Sequence, residues 1–174
     1  MKIYTKKGDL GQTDLIGRRT IKSDILIDLV GEIDEAFVRI AFAKKEIDHI
    51  GIKTELSDIN DCLFTISSII VDVNQLLKLS IPLERVTHLE ELIDQMDLEI
   101  PKLKAFITYD GCLGAIALSS LRSQIRNIER KINTVEMDKT VLAYLNRLSD
   151  YLFTAMRYVN FKAKISETKL NVIK

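Results

Sequence analysis

The sequence predicts an all-α protein, an antiparallel bundle of five helices preceded by an irregular N-terminal loop. Five segments repeat apolar residues in steps of three and four, as one buried face of a helix requires. Short polar breaks separate most of these segments, which favours antiparallel neighbours. Residues 1–23 differ from the rest, because they contain three glycines, several basic residues and no helical period.

Length and composition are those of one globular domain. The chain has 174 residues, of which 47% are hydrophobic and 29% charged, so it can bury a core without disulfides or a structural metal. Basic and acidic residues both number 25, so the net charge predicts neither nucleic acid nor an anionic membrane as a partner. Neither a signal-peptide core nor an apolar run of membrane-spanning length is seen, and we expect a cytoplasmic protein.

The cysteines and histidines give no sign of a metal centre. Cys62 and Cys112 are far apart, which argues against a disulfide framework and a thiolate zinc site. His49 and His88 each lack a partner at ligand spacing, so we interpret both as surface or loop-edge residues.

The first two predicted helices follow residue 23 and are separated at residues 49–51. The apolar face of the first consists of Val30, Ile33, Phe37, Ile40 and Ile47. That of the second consists of Leu56, Ile59, Leu63, Ile66, Ile70, Val73 and Leu77. The β-branched run at residues 69–71 is compatible with a strand, but its heptad-like neighbours favour a helix.

Three further helices are predicted after the break at residues 80–82. The third carries Val86, Leu89, Leu92 or Ile93, and Met96, and Pro101 ends it. The fourth carries Leu118, Leu121, Ile125, Ile128 and Ile132, and the fifth carries Val141, Leu145, Leu148, Leu152, Ala155 and Val159. Asp138 is a candidate N-cap for the fifth. The single predicted domain, 1–174, thus comprises a loop (1–23), a bundle (24–165) and a frayed tail (166–174).

The N-terminal loop is the first candidate site. Residues 5–13 read Thr-Lys-Lys-Gly-Asp-Leu-Gly-Gln-Thr, in which glycines let backbone N–H groups approach a phosphate and lysines supply charge. The P-loop spacing G-x-x-x-x-G-K-[ST] is absent. On spacing alone, a solvated glycine-rich arm is the favoured alternative.

The fourth helix carries the second candidate site. At 100° per residue its charged side chains form one stripe beside the apolar face, comprising Arg122, Arg126, Glu129 and Arg130. Guanidinium groups at the edge of a core need carboxylate or phosphate partners. A solvated charged face explains the stripe about equally well.

Two weaker patterns lie on the first and fifth helices. Asn146 and Asp150 share a face turned away from the core, for which ordinary surface polarity is the alternative. Gly31 weakens the first helix, which suggests close packing by a neighbour. Asp34, beside the core face, is either an arginine partner or an ordinary surface carboxylate.

Together and in this order, these motifs resemble the PduO-type ATP:cob(I)alamin adenosyltransferase family over nearly the whole chain. The family's Thr-Lys-Thr-Gly-Asp-x-Gly-x-Thr corresponds to residues 5–13, its Leu-x-Gly-Gly-Arg-Val-x-Lys to 15–22, and its Gly-Thr-x-Asp-Glu to 31–35. Its Arg-x-x-x-Arg-Arg-x-Glu-Arg corresponds to 122–130. Its Tyr-Leu-Asn-Arg-Leu-Ser-Asp-Tyr-Leu-Phe is matched at every position of 144–153.

The resemblance implies a ferritin-like, cobalamin adenosyltransferase-like bundle that forms a homotrimer with active sites between subunits. The implied activity is transfer of the 5′-deoxyadenosyl group of ATP to the cobalt of cob(I)alamin, with Mg²⁺, giving adenosylcobalamin and triphosphate. A reductase or an adenosylcobalamin-dependent enzyme is the implied protein partner. Two alternatives stay open at this point: a divergent ATP- or corrinoid-binding carrier or regulator, and a helical interaction module without a ligand.

The resemblance also implies two sets of site residues. The ATP-binding set is Thr5, Lys6, Lys7, Gly8, Thr13, Asp14, Lys22, Arg126, Glu129, Arg130 and Asn146. The catalytic set is Arg126, Phe106, Asp34 and Arg122. In it, Asp34 and Arg122 would form a salt bridge, and Phe106 would close the lower face of the corrin against its dimethylbenzimidazole ligand. No protein ligand to a metal is implied.

The chain departs from the family pattern at several of these places. Asn127 replaces the second arginine of the Arg-Arg pair, Lys7 replaces a threonine, and Ser119 replaces a histidine. The segment 107–110 is altered to Ile-Thr-Tyr-Asp where the family has Ile-Leu-Pro-Gly. A lost charge-assisted contact is worth about 1.5–3 kcal/mol, which predicts about tenfold to hundredfold lower activity unless Lys7 compensates.

Overall fold

In a computed structural model, which describes Tyr4, Lys6 and residues 8–173, the predicted five-helix bundle is confirmed. The helices are α1 (Ile25–Glu46), α2 (Ile50–Val71), α3 (Leu83–Asp97), α4 (Leu113–Ile132) and α5 (Lys139–Lys162). An antiparallel hairpin of β1 (Gln12–Leu15) and β2 (Arg18–Ile21) precedes them. Part of the predicted irregular loop is therefore a hairpin, whose strands are too short to show a clear alternation in sequence.

Helix α4 lies at the centre of the bundle. It packs against α1 on one side and α5 on the other, while α3 packs against α5 and α2 against α1. Apolar side chains from all five helices form one core, to which α2, α4 and α5 contribute the most residues. Val30, Phe37 and Val159, predicted on buried faces, are only partly buried against it. None of the helices described is both long and apolar enough to cross a membrane.

Helix α2 ends six residues earlier than its apolar period suggests. Asp72 follows its last turn, is 5% exposed, and accepts hydrogen bonds from the backbone N–H groups of Leu76 (2.9 Å) and Leu77 (2.6 Å). A carboxylate that binds the following backbone competes with continued helix. Val73 and Leu77, predicted on the buried face, are consequently exposed.

The hairpin is attached to the end of α2 and to the start of α1. The N–H of Ile16 donates to the carbonyl of Val71 at 3.1 Å. Asp24, the N-cap of α1, accepts from the N–H of Leu26 at 3.0 Å and from the hydroxyl of Thr20 at 2.6 Å. The Thr20 hydrogen bond is the main cause that lowers the pKa of Asp24. The strands therefore hold a defined position over the start of α1.

The C-terminal tail is paired rather than frayed. The N–H of Thr108 donates to the carbonyl of Thr168 at 2.9 Å, and the N–H of Leu170 donates to the carbonyl of Phe106 at 2.8 Å. Between them, Ile107 and Lys169 form an antiparallel bridge. The tail thus covers one edge of the long connection between α3 and α4. A local sequence pattern does not reveal this pairing, because its partners are about 60 residues apart.

The end of that connection is held by a buried amide. Asn160 is 4% exposed; its Oδ1 accepts from the N–H of Cys112 at 3.0 Å, and its Nδ2 donates to the carbonyl of Asp110 at 2.8 Å. Gly111 lies between them with φ of 121°, in the region that favours glycine. A Cβ at Gly111 would lie 2.0 Å from Oδ1 of Asn160.

We predict that Gly111→Ala lowers the free energy of unfolding by about 1–3 kcal/mol, because it combines an unfavourable φ with a clash against a buried side chain. Urea unfolding followed by circular dichroism measures the change. Gly31→Ala is the control, since open space surrounds that position and alanine favours a helix. Equal urea midpoints for Gly111→Ala and the unaltered protein would contradict the role assigned to this turn.

Candidate functional site

The end of β2 and the first turns of α1 line a cavity of about 500 Å³. Its lining includes Lys22, Asp28, Gly31, Glu32 and Glu35. No atom lies within 4 Å of the place where a Gly31 Cβ would stand. Among the described residues no neighbour therefore packs closely on Gly31, and the glycine leaves open space on the cavity wall.

The glycine-rich loop contacts Lys22, which lines this cavity. The N–H of Gly11 donates to the carbonyl of Gly8 at 3.2 Å, and the N–H of Lys22 donates to the carbonyl of Gly11 at 2.8 Å. The ammonium group of Lys22 lies 3.3 Å from the position of a Gly8 Cβ. The fold thus brings together Gly8 and Lys22, two residues for which the resemblance implies a role in ATP binding.

Other predicted loop residues are less close to the cavity. Thr13 pairs with Thr20 across the hairpin, and Asp14 forms an ion pair with Arg19 at 3.5 Å. Lys6 is exposed. Thr5 and Lys7 lie outside the described residues.

A polar cluster, comprising Glu32 of α1 and Gln124, Asn127 and Lys131 of α4, adjoins the cavity through Glu32. Gln124 Nε2 donates to the Glu32 carboxylate at 2.7 Å and to its backbone carbonyl at 2.8 Å. Asn127 and Lys131 also donate to this carboxylate. Lys131 reaches Asp28 as well, at 2.7 Å. The Glu32 side chain is 15% exposed, and it links α1 to α4 through three donors.

The pKa of Glu32 is held below its ordinary value of 4.5, chiefly by the hydrogen bond from Lys131. Gln124 and Asn127 add to the effect, while partial burial opposes it. The carboxylate therefore remains charged at neutral pH. Sequence reasoning missed this cluster, because its two halves are more than 90 residues apart.

Two departures from the resembled family pattern meet in this cluster. The family has a threonine where this chain has Glu32 and an arginine where it has Asn127. The Asn127 amide donates to Glu32 and accepts from Arg130 at 3.1 Å. Asn127 therefore stabilises the Glu32 carboxylate, which the family pattern lacks, and holds the guanidinium group of Arg130 in place.

The charged stripe of α4 begins beside the cluster. Asn146 Nδ2 of α5 donates to Glu129 at 2.9 Å, which brings two predicted site residues together. Arg126 is exposed and has neither a hydrogen bond nor an ion pair with any residue the structure describes. From Arg130 to Arg122 the stripe is about 12 Å long, at a helical rise of about 1.5 Å per residue.

The other end of the stripe contacts the α3–α4 connection. Arg122 Nε donates to the carbonyl of Ser149 at 3.3 Å, and its NH1 donates to the Tyr109 hydroxyl at 3.2 Å. Its guanidinium lies 5.1 Å from the centre of the Phe153 ring and 5.5 Å from that of Tyr109. Cationic groups at such distances are attracted by aromatic faces.

The predicted salt bridge between Asp34 and Arg122 is not formed within the chain. Asp34 is exposed and pairs with no cation among the described residues, while Arg122 is engaged by Tyr109. Tyr109 belongs to the segment 107–110, which differs from the family pattern. The altered segment therefore provides Arg122 with a partner other than Asp34. Phe106, three residues earlier, is 86% exposed, and its ring is free to meet a ligand.

Comparison with known proteins identifies relatives over most of the chain. A family model described as cobalamin adenosyltransferase matches residues 3–159. The corrinoid adenosyltransferase of Bacillus subtilis is 37% identical, over 97% of this chain and 92% of that protein. The human corrinoid adenosyltransferase MMAB is 34% identical, over 92% of this chain and 70% of that protein.

Solved structures agree with the sequence comparisons. A variant PduO-type ATP:corrinoid adenosyltransferase from Lactobacillus reuteri, complexed with cobalamin and ATP, superposes with a TM-score of 0.92 at 30% identity. The match covers 98% of this chain and all of that one. A second variant, complexed with ATP, superposes with a TM-score of 0.89 at 31% identity.

We predict that Glu32→Gln lowers the free energy of unfolding at pH 7 by about 1 kcal/mol, because Lys131 loses a charged acceptor. Since folding lowers the pKa of Glu32, its contribution is complete above pH 4.5 and is lost as the pH falls through the lowered value. Urea titrations at pH 7, 5 and 3 should therefore show the gap between the two proteins shrinking. Glu35→Gln, an exposed carboxylate on the same helix, is the control. A gap that stays constant down to pH 3 would argue against the proposed ionisation.

Proposed function

This chain belongs to the cobalamin adenosyltransferase family, and we propose that it transfers the 5′-deoxyadenosyl group of ATP to the cobalt of a reduced corrinoid. The observation that carries the proposal is the stripe of α4. It runs from Arg130, which Asn127 links to Glu32 on the wall of the Lys22 cavity, past Arg126 to the segment that presents Phe106. Arg126 pairs with none of the described residues. One helix thus connects a cationic loop suited to triphosphate with an exposed aromatic ring suited to a corrin.

ATP is proposed to bind where the loop meets the stripe. Backbone N–H groups near Gly8 and the ammonium group of Lys22 would contact the phosphates, as in other glycine-rich anion sites. Lys6, Thr13, Arg126 and Arg130 would add donors around the triphosphate. Asp14 borders this region, and Thr5 and Lys7 are assigned to it by their place in the motif.

The Asn146–Glu129 pair is proposed to contact ATP from the adjoining part of the stripe. The amide and the carboxylate are already hydrogen bonded to one another, so each holds the other in place. We propose that Mg²⁺ enters as part of the MgATP substrate. In the part of the chain that is described, no group of three or more His, Cys, Asp or Glu is placed to hold a metal ion. Magnesium commonly binds through substrate phosphates and water, with few protein ligands.

Phe106 is proposed to cover the lower face of the corrin. An apolar ring there denies cobalt a lower ligand and water, which favours the four-coordinate species that accepts an electron. Arg122, held by Tyr109 and Phe153, would keep the Phe106 segment beside the stripe. An electron donor must supply the reduction, so a reductase is the expected protein partner.

The reaction itself needs no protein nucleophile. Cob(I)alamin attacks C5′ of ATP, a cobalt–carbon bond forms, and the C5′–O bond breaks with its electron pair leaving on triphosphate. Lys22, Arg126 and Arg130 would stabilise the charge of the leaving group, and the loop would align C5′ with cobalt. Both substrates and the two free cysteines suit a cytoplasmic protein.

A homotrimer is proposed because one face of α1 has no packing partner among the described residues. Asp34, Val38 and Phe42 follow at four-residue intervals, and Val38 and Phe42 are 70% and 52% exposed. Packing this face against a second copy would bury both apolar side chains. It would also let Asp34 of one subunit pair with Arg122 of the next, and so place the site between subunits.

We expect anaerobic mixing of the protein with cob(I)alamin, ATP and Mg²⁺ to yield adenosylcobalamin and triphosphate, followed by absorbance and phosphate analysis. Arg126→Ala should lower kcat/KM about tenfold to hundredfold, because one charge-assisted phosphate contact is lost. Arg85→Ala, which removes an exposed arginine of α3 away from the stripe, should leave it unchanged. Tight ATP binding without triphosphate release would instead favour a carrier or regulator.

We expect analytical ultracentrifugation to give a mass three times the 19.8 kDa of the chain. Phe42→Glu should dissociate the trimer and abolish adenosyl transfer while the helical content is retained, because a charge would enter an apolar contact. Leu83→Glu is the control, since Leu83 is equally exposed but begins α3 on another side of the bundle. A monomer with full activity would disprove the shared site.

A further inference from the structure

A second cavity, of about 790 Å³, lies between the α3–α4 connection, the end of α5 and the C-terminal tail. It shares no lining residue with the Lys22 cavity. Its apolar wall includes Ile100, Ile107, Phe161 and Ile165. Phe161 and Ile165 remain 42% and 37% exposed, so the described part of the chain leaves this wall partly uncovered. The volume is in the range of about 300–1,000 Å³ typical of small-molecule sites.

The rim of this cavity is cationic. Lys102, Lys104, Lys164 and Lys169 line it, and their side chains have no hydrogen-bond or ion-pair partner among the described residues. The other two basic lining residues are neutralised: Arg157 pairs with Glu167 at 2.6 Å, and Lys162 pairs with Glu99 at 2.5 Å. A ligand that fits must therefore combine an apolar body with negative charge.

The cavity lies directly behind the Phe106 ring. Ala105 and Ile107 line it, whereas Phe106 between them is 86% exposed. Successive side chains of an extended segment point to opposite sides, so the ring faces away from the cavity. Lys169 stands opposite Ile107 in the antiparallel bridge, and side chains opposed in this way share one face. Only the backbone of this segment thus separates the cavity from the surface proposed to receive the corrin.

We propose that this cavity receives the lower nucleotide of cobalamin after its base has left cobalt. The phosphodiester would bind the lysine rim, chiefly Lys104 and Lys169, and the dimethylbenzimidazole would pack against Phe161 and Ile107. This inference rests on the proposed adenosyl transfer. A corrinoid whose base is displaced by Phe106 must place an aromatic ring and one negative charge near that residue, and this cavity offers a partner for each.

Binding of the lower nucleotide in this cavity would make the protein discriminate between corrinoids. A corrinoid without the nucleotide, such as cobinamide, has nothing to place in the cavity. The protein should therefore bind cobalamin more tightly than cobinamide, even though no base ligates cobalt in either complex. Since the phosphodiester contact is electrostatic and exposed, this preference should weaken as the ionic strength rises.

The test is the double substitution Lys104→Gln with Lys169→Gln, which removes charge while keeping side-chain length. Steady-state adenosylation is measured with chemically reduced cobalamin and with reduced cobinamide. We expect KM for cobalamin to rise about fivefold to tenfold, as for two exposed charge contacts, with kcat and both cobinamide parameters unchanged. Lys78→Gln is the matched control, since Lys78 is exposed in the connection between α2 and α3 and does not line the cavity.

Phe161→Ala tests the apolar wall separately and should raise KM for cobalamin alone. Equilibrium dialysis with the two corrinoids gives the same comparison without turnover, and thermal unfolding checks that each variant is folded. An equal rise in KM for both corrinoids, or no change for either, overturns the proposal. Failure of the unaltered protein to adenosylate both corrinoids would instead contradict the proposed function.

Discussion

The candidate site depends on the contact between α1 and α4, and Glu32 lies at the border of this contact. Both helices bury apolar faces there, but apolar packing alone leaves the axial register of the two helices less defined than hydrogen bonds do. Gln124, Asn127 and Lys131 define this register, because all three must reach one carboxylate. The position of Lys22, which follows the hairpin into α1, relative to the arginines of α4 is fixed by the same contact.

The two segments outside the helices complete the site at opposite ends of the stripe. The hairpin is tied to Asp24 and to the end of α2, and it carries the loop of Gly8 and Lys22. The tail is hydrogen bonded to the segment of Phe106. The bundle thus provides a rigid row of arginines, and short irregular pieces provide the groups that would meet each substrate.

The sequence predicts what depends on neighbours in the chain and misses what depends on distant ones. Apolar periods place the five helices, since the core face of each helix repeats locally. They extend α2 too far, because the period carries no sign that Asp72 will bind the backbone after it. The Glu32 cluster and the pairing of the tail with residues 106–108 join segments 60 or more residues apart. The resemblance implies a pair between Asp34 and Arg122, but within this chain Arg122 donates to Tyr109 instead.

The last turns of α5 hold the α3–α4 connection at both of its ends. Arg157 donates to the carbonyl of Pro101 at 2.6 Å, and Asn160 binds the backbone at residues 110 and 112. These anchors are to main-chain atoms, so they place no demand on the exposed side chains between them. Point substitutions at Tyr109 and Asp110 should therefore cost the fold little, whereas Ile107 is buried in the core. Insertion of one residue in α5 would rotate both anchors by about 100° and release the whole connection. Divergence among relatives should accordingly proceed here by substitution, while α5 keeps its length.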